Sequence, residues 1–232
     1  MEDPRDATVT VLRQRMLALM LFRHAYAEEP DETLLELLAS EPAVASIEAF
    51  AVDGHHELDR LAQTMRSLSQ DADAAQTIAA LRREYMALFV GPQKIVAPFW
   101  ESVYLDPREL LFLESTTDVR KRYEAEGYRI DAETREAEDG IAYELDFLAH
   151  LAERSLEAWC RDDRQEFGRL VEVQHSFEND HLLTWLPLFA ERAKGARTDY
   201  LYPTLCAAVA AFIAVDAALL DELAETLSVN DA

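Results

Sequence analysis

Glycine is scarce in this sequence, at six in 232 residues, and cysteine is scarcer, at two. Few glycines leave few sites for left-handed turns, and no alternation of apolar and polar residues is sustained, so the composition favours helix over sheet. Cys160 and Cys206 lack CxxC spacing and exclude a disulfide framework; both are expected to be small buried apolar residues. Basic residues are also in deficit, 22 against 45 acidic ones, for a formal charge of −23. Nucleic acid is therefore excluded as a partner, because phosphate binding relies on clustered Lys and Arg. A cationic peptide would be attracted instead, although an acidic surface also simply confers solubility.

Other absences narrow the chemistry. There is no stretch of eighteen apolar residues, and Met1 to Met16 has neither the basic start nor the apolar run of a secretory leader, so a cytoplasmic protein without stable membrane insertion is expected. Gly-x-Ser-x-Gly, Gly-x-x-x-x-Gly-Lys-Ser/Thr and Gly-x-Gly-x-x-Gly are all missing, which removes the nucleophile elbow and the usual phosphate cradles. A di-iron bundle needs two Glu-x-x-His units, and only Glu178 to His181 supplies one, with Asp146 and His150 a further pair on one helix face. No catalytic residue and no metal is expected.

What is present is helical periodicity in an apolar content of 50%, enough for a sizeable core. The pattern predicts helices over Val9–Ala27, Asp31–Leu38, from Ser40–Pro42 onward, over His56–Leu68 after Gly54, and from Asp71 or Asp73 to Phe89. Others are expected from Asp106–Pro107 to Glu126 with Gly127 as terminator, over Glu138–Trp159 and Arg164–Phe177, from an Asp180 cap through Lys194 with a kink at Pro187, and from Thr198 to Leu227. The fold class is all-α, a bundle of roughly ten helices. Its parts are an N-terminal portion 1–127 carrying a recognition loop at 90–108, a charged hinge at 128–137, and a C-terminal portion 138–232, together one compact unit.

The stretch from Tyr85 to Ser115, YMALFVGPQKIVAPFWESVYLDPRELLFLES, concentrates an apolar helix end, three prolines and a set of aromatic rings. Gly91–Pro92 stops the helix after Leu88 and Phe89, and Pro98 and Pro107 stiffen a loop holding Phe99, Trp100 and Tyr104. Rigid aromatics serve well as anchors for a partner. The same residues have plainer readings: Leu88 and Phe89 as core, Trp100 as a lid on the core, and Glu101 and Glu138 as solvated carboxylates.

Leu88-Phe89-Val90-Gly91-Pro92, Ala97-Pro98-Phe99-Trp100-Glu101-Ser102-Val103-Tyr104-Leu105-Asp106, Leu111-Phe112 and Glu114-Ser115-Thr116 resemble the central motif of the TorD/DmsD family of cytoplasmic chaperones for molybdenum-containing reductases. Weaker matches follow in the family's order at Glu136–Gly140 with Glu144–Phe147, and at His181–Trp185. The resemblance implies a non-enzymatic chaperone that binds the twin-arginine leader of a molybdoenzyme apoprotein and holds it for cofactor insertion before export. Leu88, Phe89, Pro98, Phe99, Trp100 and Tyr104 would receive the leader's apolar stretch. Glu101, Glu138, Asp139 and Glu144 would meet its arginines, and Ser102 would cap or bond a bound backbone. Asp139 could instead cap the helix that follows it, and His181 and Trp185 are secondary candidates that packing between helices would equally explain. The family's usual Pro and His are Ala137 and Gly140 here, which removes one leader-contacting histidine. No tightly bound cofactor is implied. Transient handling of guanine nucleotide or molybdopterin guanine dinucleotide is the alternative function, an adaptor for the reductase body is another, and the hinge would permit a domain-swapped homodimer.

Overall fold

The computed structural model describes residues 4–51, 55–68, 73–91, 94–130, 136–196 and 198–230. The chain is all-α, with no strand among the described residues and one isolated antiparallel bridge, Trp100 to Gly140. The helices are α1 (Pro4–Ala27), α2 (Glu32–Ala39), α3 (Glu41–Ala49), α4 (His56–Leu68), α5 (Ala74–Tyr85), α6 (Glu101–Leu105), α7 (Glu114–Ala125), α8 (Ile141–Cys160), α9 (Arg164–Phe177), α10 (Leu183–Lys194) and α11 (Tyr202–Asn230). π-helical turns at Met86–Val90 and Glu178–Leu182 extend α5 and α9.

Several starts follow from side-chain caps that satisfy orphan backbone N–H groups. Asp31 accepts from Leu34 N at 2.9 Å, Ser40 from Ala43 N at 3.3 Å, Asp73 from Gln76 N at 3.1 Å and Asp163 from Glu166 N at 3.1 Å. Gly127, at φ 72°, ends α7 with Tyr128 N bonded back to Tyr123 O, the left-handed terminator that glycine permits. The alternative cap Asp71, the separator Gly54, the helix stop Pro92 and positions 131–135 of the hinge lie outside the described residues.

Four expectations are corrected. Asp106–Pro107 starts a turn rather than a helix: the Asp106 carboxylate accepts from Arg108 N and the chain turns left-handed at Glu109, so α7 begins only at Glu114. Asp180 caps nothing, because α9 runs on through the π turn into α10 and Asp180 instead binds Arg122 and Ser176. The last helix starts at Tyr202, since Thr198 gives its hydroxyl to Glu84. Cys160 is exposed, while Cys206 is buried as expected.

The long helices α1 and α8 pack along each other, with α11 against α4, α9 and α10. By length and composition α11 could cross a membrane, yet 56% of its apolar window is buried inside the fold, as in a core helix. Its N-terminus rests on one buried side chain. The Glu84 carboxylate accepts from Thr198 Oγ1 at 2.6 Å and from the backbone N–H groups of Tyr200, Leu201 and Tyr202 at 2.7 Å each. A second buried network ties α1, α9 and α11 together: Arg15 donates to Asp216 at 2.6 Å, Gln174 at 2.6 Å and Glu178 at 3.3 Å. Burial, then the neighbouring Asp216, hold the Glu178 carboxyl well above the usual carboxylate range.

Candidate functional site: an aromatic cleft where the motifs meet

The π turn after Tyr85 and the loop beyond it put the recognition segment against the start of α8. Gly91 N reaches back to Met86 O at 2.8 Å, and Leu88 O accepts from both Val96 N and Ala97 N at 3.1 Å, which closes the loop onto the helix end. The chain then pairs with the segment before α8: Glu101 N donates to Asp139 O at 3.0 Å and Ile141 N to Phe99 O at 2.8 Å. Asp139 Oδ2 accepts from Ser102 N at 2.8 Å. Asp139 thus caps α6 across the interface, not the α8 helix that follows it.

Behind this junction lies a buried polar layer. Both oxygens of Glu101 lie 3.1 Å from His181 Nδ1, and Asp118 is 3.2 Å from His181 Nε2. Trp185 donates its indole N–H to Glu144 at 3.1 Å. Burial, then the charges of Glu101 and Asp139, push the Glu144 carboxyl well above its ordinary range; a neutral carboxyl is the cheaper form in so acidic a layer. The third matched segment, His181 to Trp185, therefore meets the other two inside the fold. The single Glu-x-x-His does not act as a unit, since Glu178 turns to Arg15 and His181 to Glu101. Among the described residues no group of His, Cys, Asp and Glu is arranged to hold a metal ion.

In front of the junction is an open cleft of about 420 Å³. Its floor is aromatic: Tyr26, Tyr85, Phe89 and Phe99 interlock, with Phe89 and Phe99 ring centres 4.4 Å apart. Trp100, Tyr128 and Tyr143 form its walls. A Cβ at Gly140 would lie 3.2 Å from Tyr143 Cδ2, so a larger residue at this rim position needs the Tyr143 ring to give by a few tenths of an ångström. Arg23, Arg129, Glu136 and Asp146 bring charge to the lining. Arg23 pairs with Asp146 at 3.0 Å, Tyr128 bonds the same carboxylate, and Tyr143 donates to Glu136 at 3.1 Å. Glu29, Glu136 and Glu28 are all close enough for their charge, added to the larger effect of burial, to raise the Tyr85 hydroxyl to about 12.

The expected site residues divide accordingly. Phe89, Phe99 and Trp100 line the cleft, Phe89 from the buried side. Leu88 is wholly buried and Pro98 is buried, its carbonyl accepting from the Tyr104 hydroxyl at 2.8 Å. Tyr104 leaves the cleft to pack on Trp185, with the Arg192 guanidinium 4.6 Å over its ring. Glu101, Asp139 and Glu144 are buried, so they are not carboxylates open to an arriving cation, and Glu101 is not solvated. Ser102 is also buried, and its hydroxyl has no hydrogen-bond partner among the described residues. Glu138 is occupied by Arg120 at 2.7 Å. Arg23, Tyr26, Tyr128, Glu136, Tyr143 and Asp146 were not foreseen. Tyr26 and Arg23 sit on α1, far away in sequence, and no local pattern marks them; Tyr128 and Tyr143, flanking a charged connection, were the readable signal.

A family profile described as nitrate reductase delta subunit matches residues 49–191. The chaperone protein TorD of Vibrio cholerae serotype O1 (strain M66-2) is 32% identical over 169 residues, 73% of this chain and 74% of the relative. That of Photobacterium profundum is 32% identical over 157 residues, 67% and 69% of the two chains, and that of Vibrio parahaemolyticus serotype O3:K6 is 28% identical over 163 residues, 70% and 73%. With the family profile covering more than half of the sequence and these relatives named as chaperones, the chain belongs to the TorD family of chaperones.

Proposed function

We propose that the protein is a cytoplasmic maturation chaperone that holds the twin-arginine leader of a molybdenum-cofactor reductase apoprotein in the aromatic cleft, delaying export until the cofactor is inserted. The observation that carries this reading is the combination of an aromatic floor with exposed carboxylates at the same opening. An apolar leader stretch finds Phe99, Trp100 and Tyr143 there. Its two guanidinium groups find Glu136, Glu28 and Glu29 rather than the buried Glu101, Asp139 and Glu144. Ordering and immobilising a disordered peptide offsets much of what the apolar contacts and the Arg–carboxylate pairs contribute. Micromolar affinity, about −8 kcal/mol, is the expected result.

A guanine nucleotide fits the same opening less well. Arg23 is already tied to Asp146, and a pyrophosphate would meet the charges of Glu136, Glu28 and Glu29. Calorimetric titration with leader peptides of the cell's molybdoenzymes, each against its Arg-Arg→Gln-Gln version, tests the reading. Saturable binding that weakens without the arginines supports it; equal binding of both versions removes the carboxylate role, and no binding to any leader sinks the proposal. Trp100→Ala should weaken binding about tenfold with the fold intact. Phe89→Ala is a poorer probe, since it opens a core cavity worth about 3–5 kcal/mol.

A further inference from the structure

The aromatic cleft holds an arginine of its own. Arg23 lies one turn before Tyr26 and Ala27 on α1 and shares their face, and all three line the opening. Asp146 lies one turn beyond Ala142 and Tyr143 on α8, and these three line it as well. The packing of α1 along α8 brings the two charges together, with Arg23 Nε 3.0 Å from Asp146 Oδ1. The other carboxylate oxygen, Oδ2, accepts from the Tyr128 hydroxyl at 2.5 Å.

Two properties set this pair apart from the buried Arg15 network. Its side chains are partly exposed, 44% for Arg23 and 38% for Asp146, whereas Arg15 and its carboxylate partners are closed to solvent. An ion pair open to water contributes little to holding its helices together, so it can be broken at small cost. Asp146 is also one of two carboxylates that line the cleft among the described residues. The other is Glu136, which is exposed and accepts from the Tyr143 hydroxyl at 3.1 Å. Because Tyr143 and Asp146 are neighbours on one face of α8, both carboxylates are set along the same wall. One is open to an arriving cation, and a guanidinium already occupies the other.

We infer that Arg23 is a resident stand-in for a client's arginine: it covers Asp146 in the empty cleft and yields to one of the leader's two guanidinium groups while Glu136 takes the other. The inference rests on the leader reading and deepens it, because it makes Arg23 and Asp146 the residues that set specificity for the arginine pair. The exchange works because like replaces like. The incoming guanidinium brings Asp146 the same charge and the same planar donors, Tyr128 keeps its bond to Oδ2, and Arg23 turns to the solvent it already reaches. A leader without arginines has nothing to offer Asp146 and leaves the resident pair in place. Arg23 thus lowers affinity for the arginine-bearing client alone.

Calorimetric titration of the wild-type chain and Arg23→Gln with an arginine-bearing leader and its Arg-Arg→Gln-Gln version tests this. Arg23→Gln should tighten the arginine-bearing leader about three- to fivefold and move the Gln-Gln version by less than about twofold. Asp146→Asn, which keeps an acceptor for Tyr128, should weaken the arginine-bearing leader by a similar factor, and adding Arg23→Gln to it should then bring no gain. Arg129→Gln removes the same charge from the lining without uncovering Asp146. A gain there as large as at Arg23 would mean general electrostatics and overturns the exchange. So does an Arg23→Gln variant that binds both peptides as the wild-type chain does, when that chain itself tells the two apart. A wild-type chain that binds no leader removes the leader reading, and this inference with it.

Discussion

At the scale of single residues, two buried carboxylates do opposite work. Glu84 accepts from Thr198 and three backbone N–H groups and so closes the start of α11. Replacing it by Ala leaves those donors without an acceptor, and chemical denaturation should report a loss of about 3 kcal/mol. Glu144 is instead held above its ordinary range by burial and by Glu101 and Asp139. A carboxyl whose folded pKa is raised contributes stability that is fully present below its unfolded value, about 4.3, and lost as pH rises toward the folded value. Thermal melts of the wild-type chain should therefore fall in midpoint as pH rises above the unfolded carboxylate range. Glu144→Gln, which still accepts from Trp185, should flatten that decline; an unchanged slope would contradict the assignment.

At the scale of elements, the informative event is the meeting of two chain segments whose junction residues lie nearly forty positions apart. The five-residue α6 is too short to persist alone, and it exists because Asp139 caps it while Trp100 and Gly140 pair beside it. Asp139→Ala should cost about 1 kcal/mol of stability and should raise hydrogen exchange at Ser102 to Leu105 well above that of α8. Asp139→Asn keeps an acceptor and should do so less. The helix ends show how far local signals reach. Ser40, Asp73 and Gly127 act as their residue types foretell, whereas Asp180 and Thr198 carry the same cap chemistry and spend it on tertiary partners, Arg122 and Glu84. A cap signal states what a side chain can do locally; competition from a stronger distant partner decides whether it does.

At the scale of the whole molecule, the charge of −23 acts at long range and the cleft at short range. Raising salt from about 0.01 M to about 0.15 M shortens the screening length from ~30 to ~8 Å. If the proposed function holds, stopped-flow association of an arginine-bearing leader should slow markedly over that range, while dissociation should change little. A salt-independent association rate would remove long-range steering from the account.

The all-α class, most helix positions and the family were legible from sequence alone, because helical periodicity, caps and short motifs are local patterns. The roles of the acidic residues were not. Glu101, Asp139 and Glu144 look like exposed carboxylates in the chain and are the buried polar layer of the fold, and Arg15 and Glu84 stand on apolar stripes whose partners lie on distant helices. Whether a carboxylate faces water, a backbone donor or another carboxylate depends on which helices tertiary packing brings beside it, and that is set by the core as a whole rather than by any neighbour in sequence.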